Sequence, residues 1–206
     1  MKRVFAACTA ALLALAACDH PNDPRVEATD GFGSNTLDVY TVFSDVGDGW
    51  SIANGELVGT GPATESNLLW NGVAFDNGWV EAESRRVDDG GLILKWIDNL
   101  NYYRLAIRDD STRTGSAQNL VLVHRSGGGE TTLGSKDVTW PRGTLHIVRF
   151  EAVGTKFIVY FDGVAQFEAT EGAGALTAGR FGLRNNAANG SWANTYDTFR
   201  WHVPLR

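Results

Sequence analysis

Apolar and polar positions alternate from His146 to Val164, and this pattern predicts two consecutive β-hairpins. Gly154-Thr155 and Asp162-Gly163 supply the turns, because these dipeptides readily adopt the positive φ of two-residue hairpin loops. With Gly154 first in its loop, the apolar residues share one face and pair across the ladder: Val148 with Phe161, Phe150 with Val159, and Ala152 with Phe157. The opposite face pairs Arg149 with Tyr160 and Glu151 with Ile158, as in an antiparallel sheet with one solvated side.

Similar alternation recurs along the chain after residue 36. Short apolar-alternating runs bounded by glycine, asparagine or aspartate are typical of strands, and Asn54-Gly55 is a further hairpin turn. No window shows a helical period longer than about two turns. We therefore predict an all-β fold, an antiparallel two-sheet sandwich of roughly a dozen strands. The strand-like runs lie at 37–43, 49–59, 66–75, 79–85, 91–97, 102–108, 119–125, 130–133, 179–185 and 195–203.

The runs 91–97 and 102–108 predict another hairpin, closed by a polar loop at 98–101. The expected core face places Leu92, Leu94 and Trp96 opposite Ile107, Leu105 and Tyr103. Lys95 and Arg104 then lie opposite each other on the outer face, where two like charges disfavour strand pairing. Something must offset this repulsion, and Glu81, Glu83 or Glu151 on neighbouring strands could do so as a surface network.

The N-terminus resembles that of a bacterial lipoprotein. Lys2 and Arg3 precede an apolar run, and Leu15-Ala16-Ala17-Cys18 is similar to a lipobox, whose cysteine is lipidated. We expect a signal peptide over 1–17, lipidated Cys18 with a flexible tether over 18–36, and a sandwich over 37–206. This resemblance implies a lipid-anchored protein of the cell envelope, in either the inner or the outer membrane. A plain secretory signal, with Cys18 incidental, is the alternative.

Composition and motifs argue against several functional classes. The net charge is −6 and no basic patch dominates, so nucleic acid is not an expected partner. No HExxH or other histidine-rich spacing indicates a transition-metal site, and no GxSxG motif indicates a serine nucleophile. His124, His146 and His202 alternate with apolar neighbours, and we expect them to be hydrogen-bonded core residues.

Five segments resemble, in their order and spacing, the concanavalin A-like (laminin G-like) jelly-roll superfamily and its bacterial exported members. They lie at 49–57, 101–105, 159–163, 179–184 and 196–200, and together span about residues 38–203. The resemblance implies a jelly-roll sandwich. This fold carries lectins, carbohydrate-binding modules, glycosidases, lyases and adhesion domains, so function does not follow from it.

Glu81 and Glu83 are the candidates for a catalytic pair that the resemblance implies. They are alternate residues of one strand and share a face, and retaining glycosidases need two carboxylates about 5–5.5 Å apart. The superfamily motif has a further acid where this chain has Arg85. A solvated row of surface charges is therefore the other interpretation.

A glycan groove is the functional alternative to a neutralised surface network. Its expected floor is formed by Lys95, Tyr102, Arg104, Arg149 and Tyr160, with the tyrosine rings stacking on sugar faces. The ligand would be an acidic or neutral glycan.

Two loop tryptophans and two acidic pairs complete the candidate residues. Trp140 and Trp192 lie in turn-rich surroundings, where each is either a sugar platform or a plug at one end of the sandwich. Relatives often carry calcium, so a structural calcium ion is possible, with Asp88-Asp89 or Asp109-Asp110 as oxygen donors. Neither pair has the spacing of a defined calcium loop, and no specific metal ligand is predicted.

Three functions remain open from the sequence. The first is recognition of a glycan at the cell envelope by an exported, lipid-anchored domain. The second is a glycan hydrolase or lyase on the same fold, which requires Glu81 and Glu83 beside a deep cleft. The third is a structural or protein-interaction module of an envelope assembly, which predicts a flat apolar patch and an envelope protein as partner.

Overall fold

The computed structural model describes residues 25–33, 37–44, 49–60, 65–72, 74–85, 87, 89–109, 117–141, 143–186 and 193–204. These residues form strands and turns without any helix, which confirms the all-β prediction. The described strands number sixteen, more than the alternation pattern predicted. They are β1 (Arg25–Asp30), β2 (Tyr40–Ser44), β3 (Trp50–Ala53), β4 (Glu56–Gly59), β5 (Ser66–Trp70), β6 (Gly78–Ser84), β7 (Gly90–Asp98), β8 (Asn101–Asp109), β9 (Ala117–Ser126), β10 (Gly129–Thr139), β11 (His146–Val153), β12 (Lys156–Phe161), β13 (Val164–Thr170), β14 (Arg180–Asn185), β15 (Asn194–Tyr196) and β16 (Thr198–Pro204).

Two large antiparallel sheets form the sandwich. The six-stranded sheet has the order β1-β16-β6-β11-β12-β13, and the seven-stranded sheet has the order β10-β9-β8-β7-β14-β5-β2. A three-stranded sheet, β15-β4-β3, contributes Trp50, Leu57 and Tyr196 to the core between them. Sequence-distant strands are neighbours in both large sheets, so the architecture depends on long-range pairing rather than on hairpins alone.

One hydrophobic core fills the space between the large sheets, because each strand directs alternate side chains inward. The core residues include Val80, Val148, Phe150, Val159 and Phe199 from the six-stranded sheet and Leu68, Leu92, Leu105, Leu122 and Leu183 from the seven-stranded sheet. A smaller apolar cluster lies on the outer face of the seven-stranded sheet. It consists of Leu69, Ile93, Trp96 and Tyr102, with Phe43 packed against it.

The hairpin of β11 and β12 has the predicted register. Val148 pairs with Phe161, Phe150 with Val159, and Ala152 with Phe157, while Arg149 pairs with Tyr160 on the other face. Gly154 has a φ of 61°, as the first position of its two-residue loop requires. The Asp162-Gly163 turn also forms, with φ values of 49° and 75°, and leads into β13.

The predicted register of β7 and β8 is wrong by two residues. Leu92 pairs with Leu105 and Leu94 with Tyr103, because a bulge interrupts β7 between Leu94 and Asp98. Lys95 lies in this bulge with a φ of 51°, and its side chain is buried. The bulge reverses the alternation at Lys95, so Trp96 joins the outer cluster instead of the core.

The bulge also removes the expected repulsion between Lys95 and Arg104. Arg104 lies on the outer face opposite Ile93. The Nζ of Lys95 instead donates to the Gly154 carbonyl at 2.7 Å and lies 5.5 Å from the centre of the Phe157 ring, both in the other large sheet. The two cations therefore occupy opposite faces of the seven-stranded sheet.

The folded domain begins earlier than the predicted boundary at residue 37. Residues 25–30 form β1, which pairs with β16 at the edge of the six-stranded sheet. Phe32 is buried in the core, and the Asp30 carboxylate accepts a hydrogen bond from Tyr40. The expected tether over 18–36 is therefore wrong for residues 25–33, because backbone pairing and burial of Phe32 fix this segment to the sandwich.

We expect Gly154→Val to destabilise the domain. No heavy atom lies within 4 Å of a Cβ built at Gly154, so the cost comes from the positive φ of 61° and not from a clash. A β-branched residue in that conformation costs about 1–3 kcal/mol, which a thermal melt detects as a lower Tm. Thr155→Val is the matched control at the next position of the turn. Equal Tm values for the two variants would contradict the turn conformation.

Candidate functional site

The outer face of the seven-stranded sheet is the best candidate for a site. Here we call it the arginine face, defined by Arg104, Arg108, Arg125, Arg180 and Arg184, which all project from β8, β9 and β14. Neighbouring strands carry carboxylates and the outer apolar cluster to the same face. The arginine face therefore combines buried charged side chains with aromatic rings. An ordinary solvated sheet face carries exposed polar side chains instead.

A pocket of about 200 Å³ opens on the arginine face. Most of its lining residues are polar, and they come from four strands, the β7–β8 turn and the residue before β5: Phe43, Ser44, Glu65, Asn67, Asn99, Tyr102 and Arg125. Phe43 is half-buried and packs on Trp96 with ring centres 4.3 Å apart. The buried Oδ1 of Asn67 has no hydrogen-bond partner among the described residues. The lining of the pocket thus includes a carboxylate, an amide, a guanidinium group and an aromatic ring.

Glu65 is the centre of the charge network below this pocket. Its carboxylate lies 3.0 Å from Arg104 and 3.2 Å from Arg184, and it accepts a hydrogen bond from the Tyr102 hydroxyl. The two arginine side chains are only 5 % and 1 % exposed. Two buried guanidinium groups therefore share one carboxylate, which partly offsets the cost of removing them from water.

The outer ends of the network are held by two further carboxylates. Glu130 lies 2.8 Å from Arg104, and Asp89 lies 2.9 Å from Arg184 and also accepts a hydrogen bond from Asn186. Glu65, Glu130 and Asp89 are thus each in contact with at least one arginine. This arrangement fixes the position of the side chains around the pocket.

The network favours the ionised form of Glu65. Burial alone would raise the pKa of this carboxyl, but the charges of Arg184 and Arg104 and the hydrogen bonds from Tyr102 and Asn67 together lower it. Glu65 is therefore a carboxylate at neutral pH. A general acid for glycoside cleavage needs the opposite shift, towards a raised pKa.

Tyr102 and Arg104, both predicted to contact ligand, lie on the arginine face but are almost completely buried. The Tyr102 ring is 1 % exposed within the outer cluster, and the Arg125 guanidinium lies 5.8 Å from its centre. Stacking of Tyr102 on a sugar is therefore not possible in this arrangement. Tyr102 nevertheless lines the pocket, and its hydroxyl accepts a hydrogen bond from Arg125 at 3.2 Å.

Arg149 and Tyr160, also predicted to contact ligand, lie on the outer face of the six-stranded sheet. Arg149 lies 4.2 Å from the Trp79 ring centre and 5.9 Å from that of Tyr160. Lys95 is between the sheets, beside a second pocket lined by Asp76 and Leu176 among others. The predicted single groove is therefore not formed, because its residues occupy three separate surfaces.

Glu81 and Glu83 share the outer face of the six-stranded sheet, as predicted, but both carboxylates are paired with arginine. Arg200 contacts Glu81 at 3.1 Å and Glu83 at 2.7 Å, and Arg149 contacts Glu81 at 2.7 Å. Glu81 is buried, so a solvated row of charges is the wrong description of this strand. Neither residue lines either of the two pockets described above.

The expected neutralising partners of Arg104 are also wrong. Glu81 binds Arg149 and Arg200, whereas Glu65 and Glu130 bind Arg104. The position of Glu130 has a sequence signal, because Gly127-Gly128 is a two-residue turn that places Glu130 opposite Arg125. Glu65 has no such signal. It precedes β5 and reaches Arg104 only through the long-range pairing of β5, β14, β7 and β8.

The three histidines that were expected in the core do not all lie there. His124 is buried against the Tyr103 ring and lies 2.5 Å from Glu171, and His146 bonds Asp162 at 2.7 Å. His202 is different, because it lies on the outer face of the six-stranded sheet and stacks on Trp79. Its apolar neighbours in the sequence are the inward residues of β16.

Trp140 is a plug and not a sugar platform. Its side chain is buried, packs 5.3 Å from His146 and 5.5 Å from Phe161, and donates to the Thr144 carbonyl. Trp192 and Cys18 lie outside the described residues, so their predicted roles stay predictions.

The acidic pairs proposed for calcium do not fit a metal site where they are described. Asp89 is already bound to Arg184 and Asn186, and Asp88 and Asp110 lie outside the described residues. The described part of the chain contains no cluster of three or more potential metal ligands.

Within the described residues, no helix is long and apolar enough to cross a membrane.

Comparison with solved structures identifies the fold. The carbohydrate-binding module CBM66 from Bacillus subtilis matches with a TM-score of 0.57 and 13% sequence identity, over 81% of this chain and 94% of that chain. The chain has the concanavalin A-like jelly-roll fold. A β-glucanase from Bacillus licheniformis matches with a TM-score of 0.60 and 14% identity, over 87% of this chain and 98% of that chain.

Enzymes and binding modules are both among the structural neighbours. A laminarinase from Flavobacterium sp. UMI-01 matches with a TM-score of 0.57 and 12% identity, over 86% of this chain and 99% of that chain. No protein-family model and no curated protein sequence matches this chain. Similarity at this level of identity confirms the predicted jelly-roll sandwich and leaves the function to be argued from the site.

We expect Glu65→Gln to destabilise the domain at pH 7 by about 3 kcal/mol or more, because it leaves Arg104 and Arg184 buried without their shared countercharge. The pKa of Glu65 is lowered in the fold from its ordinary value of 4.5, so its ionic contribution is complete above that pH. That contribution is lost as the pH falls through the lowered folded pKa. The free energies of unfolding of wild type and variant should therefore approach each other as the pH falls. Urea unfolding of both proteins between pH 7 and pH 3 measures this change.

Glu56→Gln is the matched control, because Glu56 pairs with Arg85 where the side chains are 26% and 48% exposed. Such exposed pairs contribute about 0–1 kcal/mol. Equal losses of stability in the two variants at pH 7 would show that Glu65 is not required by the buried arginines.

Proposed function

We propose that this protein is an exported glycan-binding domain that uses the pocket on the arginine face. The observation that carries the proposal is the lining of that pocket, where Glu65, Asn67 and Arg125 present polar groups beside the half-buried ring of Phe43. Polar groups that converge beside an aromatic surface can bind the hydroxyls and the apolar face of a sugar ring together. A pocket of about 200 Å³ suits one sugar unit rather than a buried oligosaccharide.

The carboxylates of the described residues favour binding over hydrolysis. Glycoside cleavage uses two carboxyl groups, one of them protonated as a general acid. Arg104 and Arg184 lower the pKa of Glu65, which therefore cannot serve as that acid at neutral pH. Glu81 and Glu83 are both in contact with Arg200 and line neither pocket. The structural neighbours include both carbohydrate-binding modules and glycan hydrolases, and this charge pairing supports the first class for the present chain.

Export and lipid anchoring are part of the same proposal. They are supported by Lys2, Arg3, the following apolar run and the lipobox-like sequence before Cys18. A domain anchored in this way would meet glycans of the cell envelope.

Native affinity electrophoresis of residues 19–206 tests glycan binding directly. The gels contain a panel of neutral and acidic polysaccharides, and each is then assayed for newly released sugar ends. We expect slower migration in at least one gel and no released ends. Released ends would replace the proposal with a glycan hydrolase or lyase, and unchanged mobility throughout would favour the protein-interaction module.

Two aromatic substitutions decide which face binds the retarding polysaccharide. Phe43→Ala should weaken binding roughly five- to thirty-fold, the effect of losing about 1–2 kcal/mol. Tyr160→Ala removes a ring from the outer face of the six-stranded sheet and should leave binding unchanged. Far-UV circular dichroism verifies that both variants fold, and the reverse pattern of affinities would move the site to the Tyr160 face.

Cys18→Ser tests the anchor independently of the ligand. We expect the variant to incorporate no radiolabelled palmitate and to appear in the soluble fraction, because serine cannot form the thioether to the lipid. Mutation of Cys8, which lies within the predicted signal peptide, is the matched control and should leave labelling intact. Membrane association that survives Cys18→Ser would contradict the lipid anchor.

A further inference from the structure

Two arginine side chains at the pocket lie over aromatic rings. The Arg125 guanidinium lies 5.8 Å from the centre of the Tyr102 ring, and that of Arg180 lies 5.5 Å from the centre of the Phe43 ring. Arg125 lines the pocket, and Arg180 neighbours it through Phe43, which is also a lining residue. Stacking on a ring restricts the orientation of a guanidinium and leaves its edge available for hydrogen bonds.

The carboxylates of the arginine face are already committed to other arginines. Glu65 binds Arg104 and Arg184. Glu130 lies 2.8 Å from Arg104 but as far as 4.0 Å from Arg125, so its closer ion pair is with Arg104. Arg180 has no ion pair with any described residue. The arginine face therefore carries more positive charge than the described carboxylates around it neutralise.

Buried nitrogens of the same two arginines lack partners. The Nε of Arg125 and one terminal nitrogen of Arg180 form no hydrogen bond with a described residue. A guanidinium that is partly removed from water without full pairing raises the free energy of the unbound protein. An anion bound at the exposed edge of each group would offset that cost.

We propose that the glycan bound at this pocket is anionic and that Arg125 and Arg180 bind its carboxylate or sulfate groups. This inference rests on the proposed function and names the class of ligand. Guanidinium groups form paired, charge-assisted hydrogen bonds with such groups, which are stronger than bonds between neutral partners. The chain as a whole has a net charge of −6, so the attraction must come from these local arginines and not from the overall charge.

Matched ligands isolate the contribution of the charge. Isothermal titration calorimetry of residues 19–206 compares oligogalacturonate with its methyl ester, and a sulfated κ-carrageenan oligosaccharide with its desulfated form. Each pair shares a sugar backbone and differs in the anionic group. We expect at least one anionic member to bind about ten- to a hundred-fold more tightly than its neutral partner, as for hydrogen bonds to charged groups. The preference should shrink as sodium chloride is raised.

Arginine variants locate that preference. Arg125→Gln and Arg180→Gln should each reduce the ratio of anionic to neutral affinity, and the double variant should abolish the difference between the two members. Arg85→Gln makes the same charge change at an exposed pair with Glu56 and should leave the preference intact. Arg125→Lys keeps the positive charge but lacks the planar guanidinium group that donates two parallel hydrogen bonds. This variant should retain part of the preference for the anionic ligand.

Each outcome has a separate meaning. Equal binding of the anionic and neutral members would overturn this inference and leave the glycan-binding proposal standing. A preference that survives the double variant would overturn it too, because the anion would then be bound elsewhere. If no member of either pair binds and no polysaccharide retards the protein, the proposed function fails and this inference fails with it.

Discussion

One carboxylate determines the electrostatic arrangement of the arginine face. Glu65 lies between Arg104 and Arg184, two side chains that the packing of β8 and β14 places under the outer surface of the sheet. Each guanidinium loses most of its contact with water, and only a nearby anion makes that burial tolerable. Glu65 also binds the Tyr102 hydroxyl and so fixes one wall of the pocket. The shape and the charge of the site thus depend on the same side chain.

Local pattern was sufficient to predict the parts of this fold that are governed by alternation and turn chemistry. The register of β11 and β12 follows from Gly154 and from the apolar positions around it, and the structure reproduces it pair for pair. The register of β7 and β8 was not predictable in the same way. Apolar residues stand on both sides of Lys95, so the run 91–97 is compatible with two registers, and the bulge that selects between them has no local sequence signal.

The site itself was only partly predictable, for a related reason. The alternation of β8 alone predicts the correct sheet face for Tyr102 and Arg104, but their burial depends on Arg125 and Glu65, which come from distant parts of the chain. For Lys95 the alternation of β7 predicts the wrong face, because the bulge turns this side chain inward. Such errors are expected wherever a side chain is positioned by strands that are neighbours in the sheet but not in the sequence.

The pairing of the edge strand β1 with β16 sets a distance that matters if Cys18 carries a lipid. Residues 19–24 are then the only chain between the lipid and the first strand, and the path from Cys18 to Arg25 reaches at most about 25 Å when fully extended. The sandwich would therefore stay close to the bilayer. Polymers within a short distance of the membrane surface would be the ones within reach, and those deeper in the envelope would not.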